Sequence, residues 1–378
     1  MARNQAPGGD TREQSQAPQG VVGAVPFVRA SDEHLQPGNV DVSRVLTTSA
    51  QDLGVFDVPA YGYIRWLYIL VQATGGSGTS VTLTEDSPFN VLQNIAFTEP
   101  NGATIVQLNS GWELYEVCKL GGYVQPVALD PKRNPGYTTA VGSAATFTFL
   151  LRIPIEVSFR DGVGSLPNQD SAGQFKLRLS LAPIATVFGG TVSVAPTVRV
   201  RAWLAAWDQP EPQTAGMSNS VSPPASGTTS FWTVQSGIPV AAGENTIELK
   251  RKGNYLRQII MILRRSGSRA NGESDWPAET RFVRDAFPAR SWNNEVWRTI
   301  MFERTGLTGT NDAAGALDNG VRFHDYMHEF HGGLGGETRD LWQPTRGSSR
   351  LELTGNFGNA GTLTVITNDI AIADNVFL

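Results

Sequence analysis

The sequence predicts an all-β protein of two tandem eight-stranded jelly rolls (β-sandwiches), with long loops and a short helix in each. Three observations carry this. Charged residues are only 17% of the 378, Gly (40) and Pro (22) are frequent, and long Ala/Glu/Lys/Leu runs are missing; that composition favours strands joined by turns over helices. Short apolar segments alternate with Gly/Pro/Asn/Asp turns, and FKLRLSL (175–181) and TVRVRAW (197–203) alternate with period two, as half-buried strands do. Finally, the chain repeats itself. YGYIRWLYILV (61–71) and GNYLRQIIMIL (253–263) each place a tyrosine two residues before an arginine and follow it with bulky aliphatic residues.

Residues 1–20 are rich in Gln, Pro, Gly and charge and have little to bury, so they are expected to form a disordered arm. They contain no apolar core of a secretory signal. The first roll is expected over 21–207, with strands at 61–71, 80–85, 145–157, 175–184 and 197–207 and turns at 99–102, 160–164 and 188–190. Residues 208–230 hold four prolines and many serines, and read as the linker between domains. The second roll is expected over 231–378, with strands at 231–240, 245–252, 256–265, 296–304, 349–357 and 361–370.

Two weaker echoes follow the first in the same order. NSGWELYEVCKLGGY (109–123) resembles DNGVRFHDYMHEFHGG (318–333), both read as near-helical, and FKLRLSL (175–181) resembles SRLELTG (349–355). Three echoes in order suggest a duplicated sandwich of about 170 residues, the size of a jelly roll. In the 61–71 strand, Tyr63, Leu67, Ile69 and Val71 are expected on one face and Ile64, Trp66, Tyr68 and Leu70 on the other. Both faces are apolar, so one fills the core and the other meets a further layer. Arg65 and Arg257 are expected near strand starts, paired with a carboxylate or carbonyls.

The net charge is −5 and no block of like charges occurs, so a phosphate-gripping basic face is not expected. The single cysteine, Cys118, excludes an intrachain disulfide and fits a reducing compartment. It reads as a buried, inert thiol. No run of 18 apolar residues is present. GxSxG, GxxxxGK[ST] and GxGxxG after a strand are all missing, and the Glu85-Asp86 pair lies in a turn with no partner in sight. Catalytic and cofactor-binding residues are therefore not expected. The metal candidates are His324, His328 and His331, which would share one face of a helix; a polar helix face or loop is the competing reading.

Two such rolls in one chain resemble the double jelly-roll major capsid proteins of tailless, membrane-containing icosahedral double-stranded DNA viruses, such as tectiviruses, related in fold to the adenovirus hexon. The stretches that carry the resemblance are VPAYGYIRWLYILV, DSPFNVLQNIAFTEPNG (86–102), GWELYEVCKLGGY, RDGVGSLPNQDSAGQFKLRLSL (160–181) and TVRVRAWLAAW. The resemblance implies a non-enzymatic capsid subunit that forms a homotrimer of pseudo-hexagonal outline. Its partners would be neighbouring capsomers and penton or cementing proteins, with no direct nucleic-acid contact. Residues 1–20 would suit an inner tether, toward an internal lipid membrane, or a tether between capsomers. The protein would reside in the virion capsid, and in the host cytoplasm during assembly. Two other readings stay open. One is a receptor- or carbohydrate-binding sandwich (spike or lectin-like), with Trp276 and Trp292 as exposed loop aromatics. The other is a cupin-like or peptide-amidase-like enzyme using the histidine cluster.

Overall fold

The computed structural model describes residues 25–121, 132, 135–157, 162–209, 221–222, 227–270, 272–297, 299, 320–326 and 341–371. Residues 1–20, expected to form an arm, lie outside them. The described chain is dominated by strands arranged as two jelly rolls.

The first roll has eight principal strands: β1 (Glu33–Val45), β2 (Gln51–Asp57), β3 (Tyr63–Thr74), β4 (Leu92–Thr98), β5 (Thr104–Ser110), β6 (Thr146–Pro154), β7 (Lys176–Leu181) and β8 (Thr197–Trp207). They form two facing sheets in the orders β1-β8-β3-β6 and β2-β7-β4-β5. The second roll has β9 (Thr229–Val240), β10 (Gly243–Glu248), β11 (Tyr255–Arg265), β12 (Glu279–Arg284), β13 (Phe287–Asn293), β14 (Val321–Asp325), β15 (Leu351–Phe357) and β16 (Gly361–Ala371). Their orders, β9-β16-β11-β14 and β10-β15-β12-β13, repeat those of the first roll strand for strand. A small sheet of Ser77–Leu83, Gly142–Ala144 and Phe188–Val194 is added to the first roll.

The tyrosine–arginine repeat falls on β3 and β11, which hold equivalent places. Tyr63 pairs with Pro167 on one side and Trp207 on the other; Tyr255 pairs with Pro344 and Ile370. The register slips by one residue at Arg65 and again at Arg257, so each arginine is the extra residue of a β-bulge. The amide of Glu156 donates to the Arg65 carbonyl (2.8 Å), and that of Tyr326 to the Arg257 carbonyl (2.9 Å). The bulge overturns the simple alternation expected for β3. Ile64 joins Leu67, Ile69, Val71 and Ala73 in the core, while Trp66 does not. One inserted residue reverses which face each later side chain takes.

The third echo also holds. β7 lies between β2 and β4, as β15 lies between β10 and β12. The second echo does not. Gly111–Leu120 is a helix, α1, but Val321–Asp325 is the strand β14. The counterpart of α1 starts earlier: residues 294–297 are helical, and the Asn293 side-chain oxygen accepts from the amides of Glu295 (2.9 Å) and Val296 (3.4 Å). The strand expected at 296–304 therefore opens as a helix, and residues 298 and 300–304 lie outside those described. The stretch from Trp276 to Trp292, where loop aromatics were expected, holds the hairpin β12–β13. Thr229 and Ser230, assigned to the linker, already belong to β9, and Val221–Ser222 makes a two-residue parallel bridge with Val25–Pro26.

Gly62, just before β3, has φ +45°, and a Cβ there would lie 1.9 Å from the Trp207 carbonyl oxygen. Gly62→Ala is expected to destabilise the fold by about 2–3 kcal/mol, since both conformation and space are lost. Urea denaturation measures this; an unchanged midpoint would show that the β3–β8 crossing is not tight.

Candidate functional site

The described features with the greatest concentration of buried polar chemistry are the two arginine bulges and the seam between the rolls. At the first bulge, Arg65 is enclosed. Its Nε donates to Glu156 Oε2 (2.6 Å), its Nη1 meets Glu33 Oε2 (2.7 Å), and its guanidinium carbon lies 4.0 Å from the ring centroids of both Trp66 and Trp207. The Trp207 indole N–H also donates to Glu156 Oε2 (3.1 Å). A buried cation is tolerable here because carboxylates and ring faces replace its water.

Arg257, at the second bulge, donates to Asn368 Oδ1 (3.1 Å) and to the Gly121 carbonyl (3.3 Å), while Gln258 Nε2 donates to the Leu120 carbonyl (2.7 Å). Those carbonyls end helix α1, so the second roll caps a helix of the first. The expectation that these arginines would pair with a carboxylate or carbonyls is met in both forms.

Helix α1 is buried along all ten residues. Ser110 Oγ accepts from the Glu113 amide (3.3 Å), and Glu113 Oε2 accepts from the Asn109 amide (2.6 Å), in the manner of a capping box. One side of α1 packs on β6, where the Cys118 thiol donates to the Arg152 carbonyl (3.0 Å). Burial pushes that thiol up to about 11, which suits an inert packing residue. In the second roll the Trp297 indole donates to the Phe323 carbonyl (2.9 Å) on β14. Arg152 and Phe323 hold equivalent places, each opposite its roll's β3 or β11 strand, at Tyr68 and Ile260.

The seam has a backbone part, an apolar part and a charged part. β5 and β9 pair in parallel, Val106 with Trp232 and Gln107 with Thr233, so one sheet runs through both rolls. Trp232, Ile260, Ile262, Val321, Phe323 and Ile366 of the second roll pack into the first roll's core, whereas Leu256, Ile259, Met261 and Leu263 fill the second roll's own core. The doubly apolar β11 is therefore covered on both faces. Glu85 and Asp86, which had no partner in sight in the sequence, are held by the second roll: the Arg269 amide donates to Glu85 (3.0 Å), Arg269 Nε lies 3.2 Å from Asp86 Oδ1, and Arg264 pairs with Asp86. Both guanidinium groups face the Trp112 ring. No signal within one segment could reveal these partners, which lie some 180 residues apart.

His324 lies on β14, buried, with its ring 3.6 Å from that of Trp292. The helical spacing supposed for the three histidines thus fails at its first member; His328 and His331 lie outside the described residues. Among the described residues, no group of three or more His, Cys, Asp or Glu is placed to hold a metal. The loop-aromatic reading is corrected as well. Trp276 is in the second roll's core, and Trp292 is on β13 and partly buried against it.

No family model matches the sequence, and no curated protein matches it. Solved structures do match over nearly the whole chain. The crystal structure of the STIV MCP is 13% identical, covering 90% of this chain and 97% of that one, with a TM-score of 0.60. The PBCV-1 virus capsid model is 10% identical, covering 90% and 94%, at 0.61. The major capsid protein P2 of bacteriophage PM2 is 8% identical, covering 91% and 99%, at 0.51. At these identities the likeness is one of fold, and the fold is the double jelly roll of viral major capsid proteins.

Burial pushes the Glu156 carboxyl up to about 7, against the lowering pull of Arg65, and burial pushes Glu113 up to about 7, against the Asn109 and Ser110 amides. Both groups bind a proton more tightly folded than unfolded. Their contribution to stability is full below about pH 4.5 and is lost as pH rises through about 7, on the order of 3 kcal/mol for each. Glu156→Gln is expected to remove about half of this decline when urea stability is compared at about pH 5 and about pH 8. A decline as steep as that of the parent would assign it to other groups.

Proposed function

We propose that this chain is a structural, non-enzymatic major capsid protein. Its copies trimerise into capsomers of pseudo-hexagonal outline and tile the icosahedral shell of a tailless phage with an internal membrane. The observation that carries the reading is the strand-for-strand repetition of one roll within the chain, joined by a seam with a continuous sheet, an apolar core and partly buried ion pairs. Such a seam makes the two rolls one building block. The match to viral capsid proteins over about nine-tenths of the chain supports the same reading.

The partners in this reading are further copies, neighbouring capsomers, and penton or cementing proteins. Residues 1–20 tether the shell toward the membrane. The protein resides in the virion capsid after assembly in the host cytoplasm. Its interactions are protein–protein, without direct nucleic-acid contact, which agrees with a net charge of −5.

Light scattering of the purified full chain behind a sizing column is expected to give three times 40.8 kDa, unchanged on dilution. Negative-stain images are expected to show hexagonal outlines. A monomer at every concentration would overturn the proposal.

A further inference from the structure

The seam inside the chain predicts where the next chain sits. Within one chain, β5, at the end of its sheet, is covered by β9, the first strand of the second roll. The equivalents of these strands are β13 and β1. Among the described residues, β13 pairs only with β12, and β1 only with β8. Among the described residues these are two open sheet edges whose counterparts are joined to each other.

Side chains agree with the backbone. The six apolar residues that β9, β11, β14 and β16 bury in the seam have counterparts in the first roll, fixed by the pairing registers. Leu35 stands for Trp232, Tyr68 for Ile260, Leu70 for Ile262, Leu150 for Val321, Arg152 for Phe323 and Trp203 for Ile366. Trp232 is 0% exposed; Leu35 is 61% exposed, and the other five counterparts are half-buried. On the opposite edge, Phe287 of β13 is 70% exposed and Val296 just beyond it is 49% exposed. Exposed apolar side chains on an open edge indicate a covering partner.

We propose that β13 of one copy adds in parallel to β1 of the next, laying the start of the helix after β13 on the outer face of the β1-β8-β3-β6 sheet, as β5 and α1 lie against the second roll within the chain. The occupant of this face is a second copy of this chain. The contact is heterologous, and repeating it closes a ring when its rotation matches that of the internal seam. This rests on the self-assembly reading above and assigns the surface through which that assembly occurs. The ladder is short, as the internal one is, because Pro37 in β1 and Pro288 in β13 each lack a donor.

The test is a cysteine pair. With Leu177 equated to Leu351, the pairing registers through β4 and β12 set Phe287 in the place of Val106, so Leu35 of one copy faces Phe287 of another. The full chain carrying Leu35→Cys and Phe287→Cys is oxidised and run without reductant, beside a control carrying Val55→Cys and Phe287→Cys; Val55 lies on β2 and is 57% exposed. The expected result is covalent species of two and three chains from the first pair only. Leu35→Asp is expected to reduce the trimeric mass to that of one chain, with the circular dichroism spectrum unchanged, and Val55→Asp to leave it trimeric. A trimer that neither cross-links through Leu35 nor responds to Leu35→Asp would overturn this surface while leaving the capsomer proposal standing. A parent chain that is monomeric throughout would overturn both.

Discussion

A strand that is apolar on both faces must be covered twice, and the architecture follows from that requirement. β11 turns one face into its own sandwich and the other against the first roll, where α1 fills the gap between the sheets. The helix is short, wholly buried and capped at both ends by side chains, because neither terminus has free access to water. Without the second layer, Ile260 and Ile262 would be stranded in solvent, and the sheet continuous through β5 and β9 would end at an open edge.

The two bulges serve the same requirement. An extra residue in β3 and β11 rotates the strand, so that an arginine enters the space between layers while the aliphatic residues beyond it regain the core. The duplicated pattern is conformational before it is chemical. Both arginines keep the bulge, yet one meets carboxylates and is stacked between indoles while the other reaches across the seam to the end of a helix in the other roll. The same backbone device thus serves one roll internally and joins the two rolls in its second copy.

Much of this was legible from the chain alone. The strands with clear apolar patterning, β3, β6, β7, β8, β11 and β16, stand where the pattern puts them, and the twin rolls follow from the first and third echoes. Three features of the backbone fold were not legible. The face taken by Ile64 depends on a register slip that alternation does not encode. Val321–Asp325 looked helical because charged and apolar residues mix there, yet the whole strand is buried between layers, where period-two alternation has no meaning. The polar strands β1, β12 and β13 lack an apolar stripe, since β1 and β13 are edges that show most of their side chains to solvent and β12 has Phe282 as its one buried residue. Of the buried polar groups, the arginine environment was foreseeable in kind. Glu85 and Asp86 were not, because their cationic partners come from the other roll.

The segment between β8 and β9 has a consequence for how contact strength depends on concentration. It makes the seam between β5 and β9 an intramolecular event, at the high effective concentration that a tether confers. The proposed contact between β1 and β13 has the same strand geometry but no tether, and so follows mass action. One duplicated surface would then exist in two regimes: a permanent joint that dilution does not touch, and an adjustable one that forms only once enough chains have accumulated. Fusing the rolls also lowers the number of bodies that must be brought together, and with it the translational and rotational freedom lost on assembly.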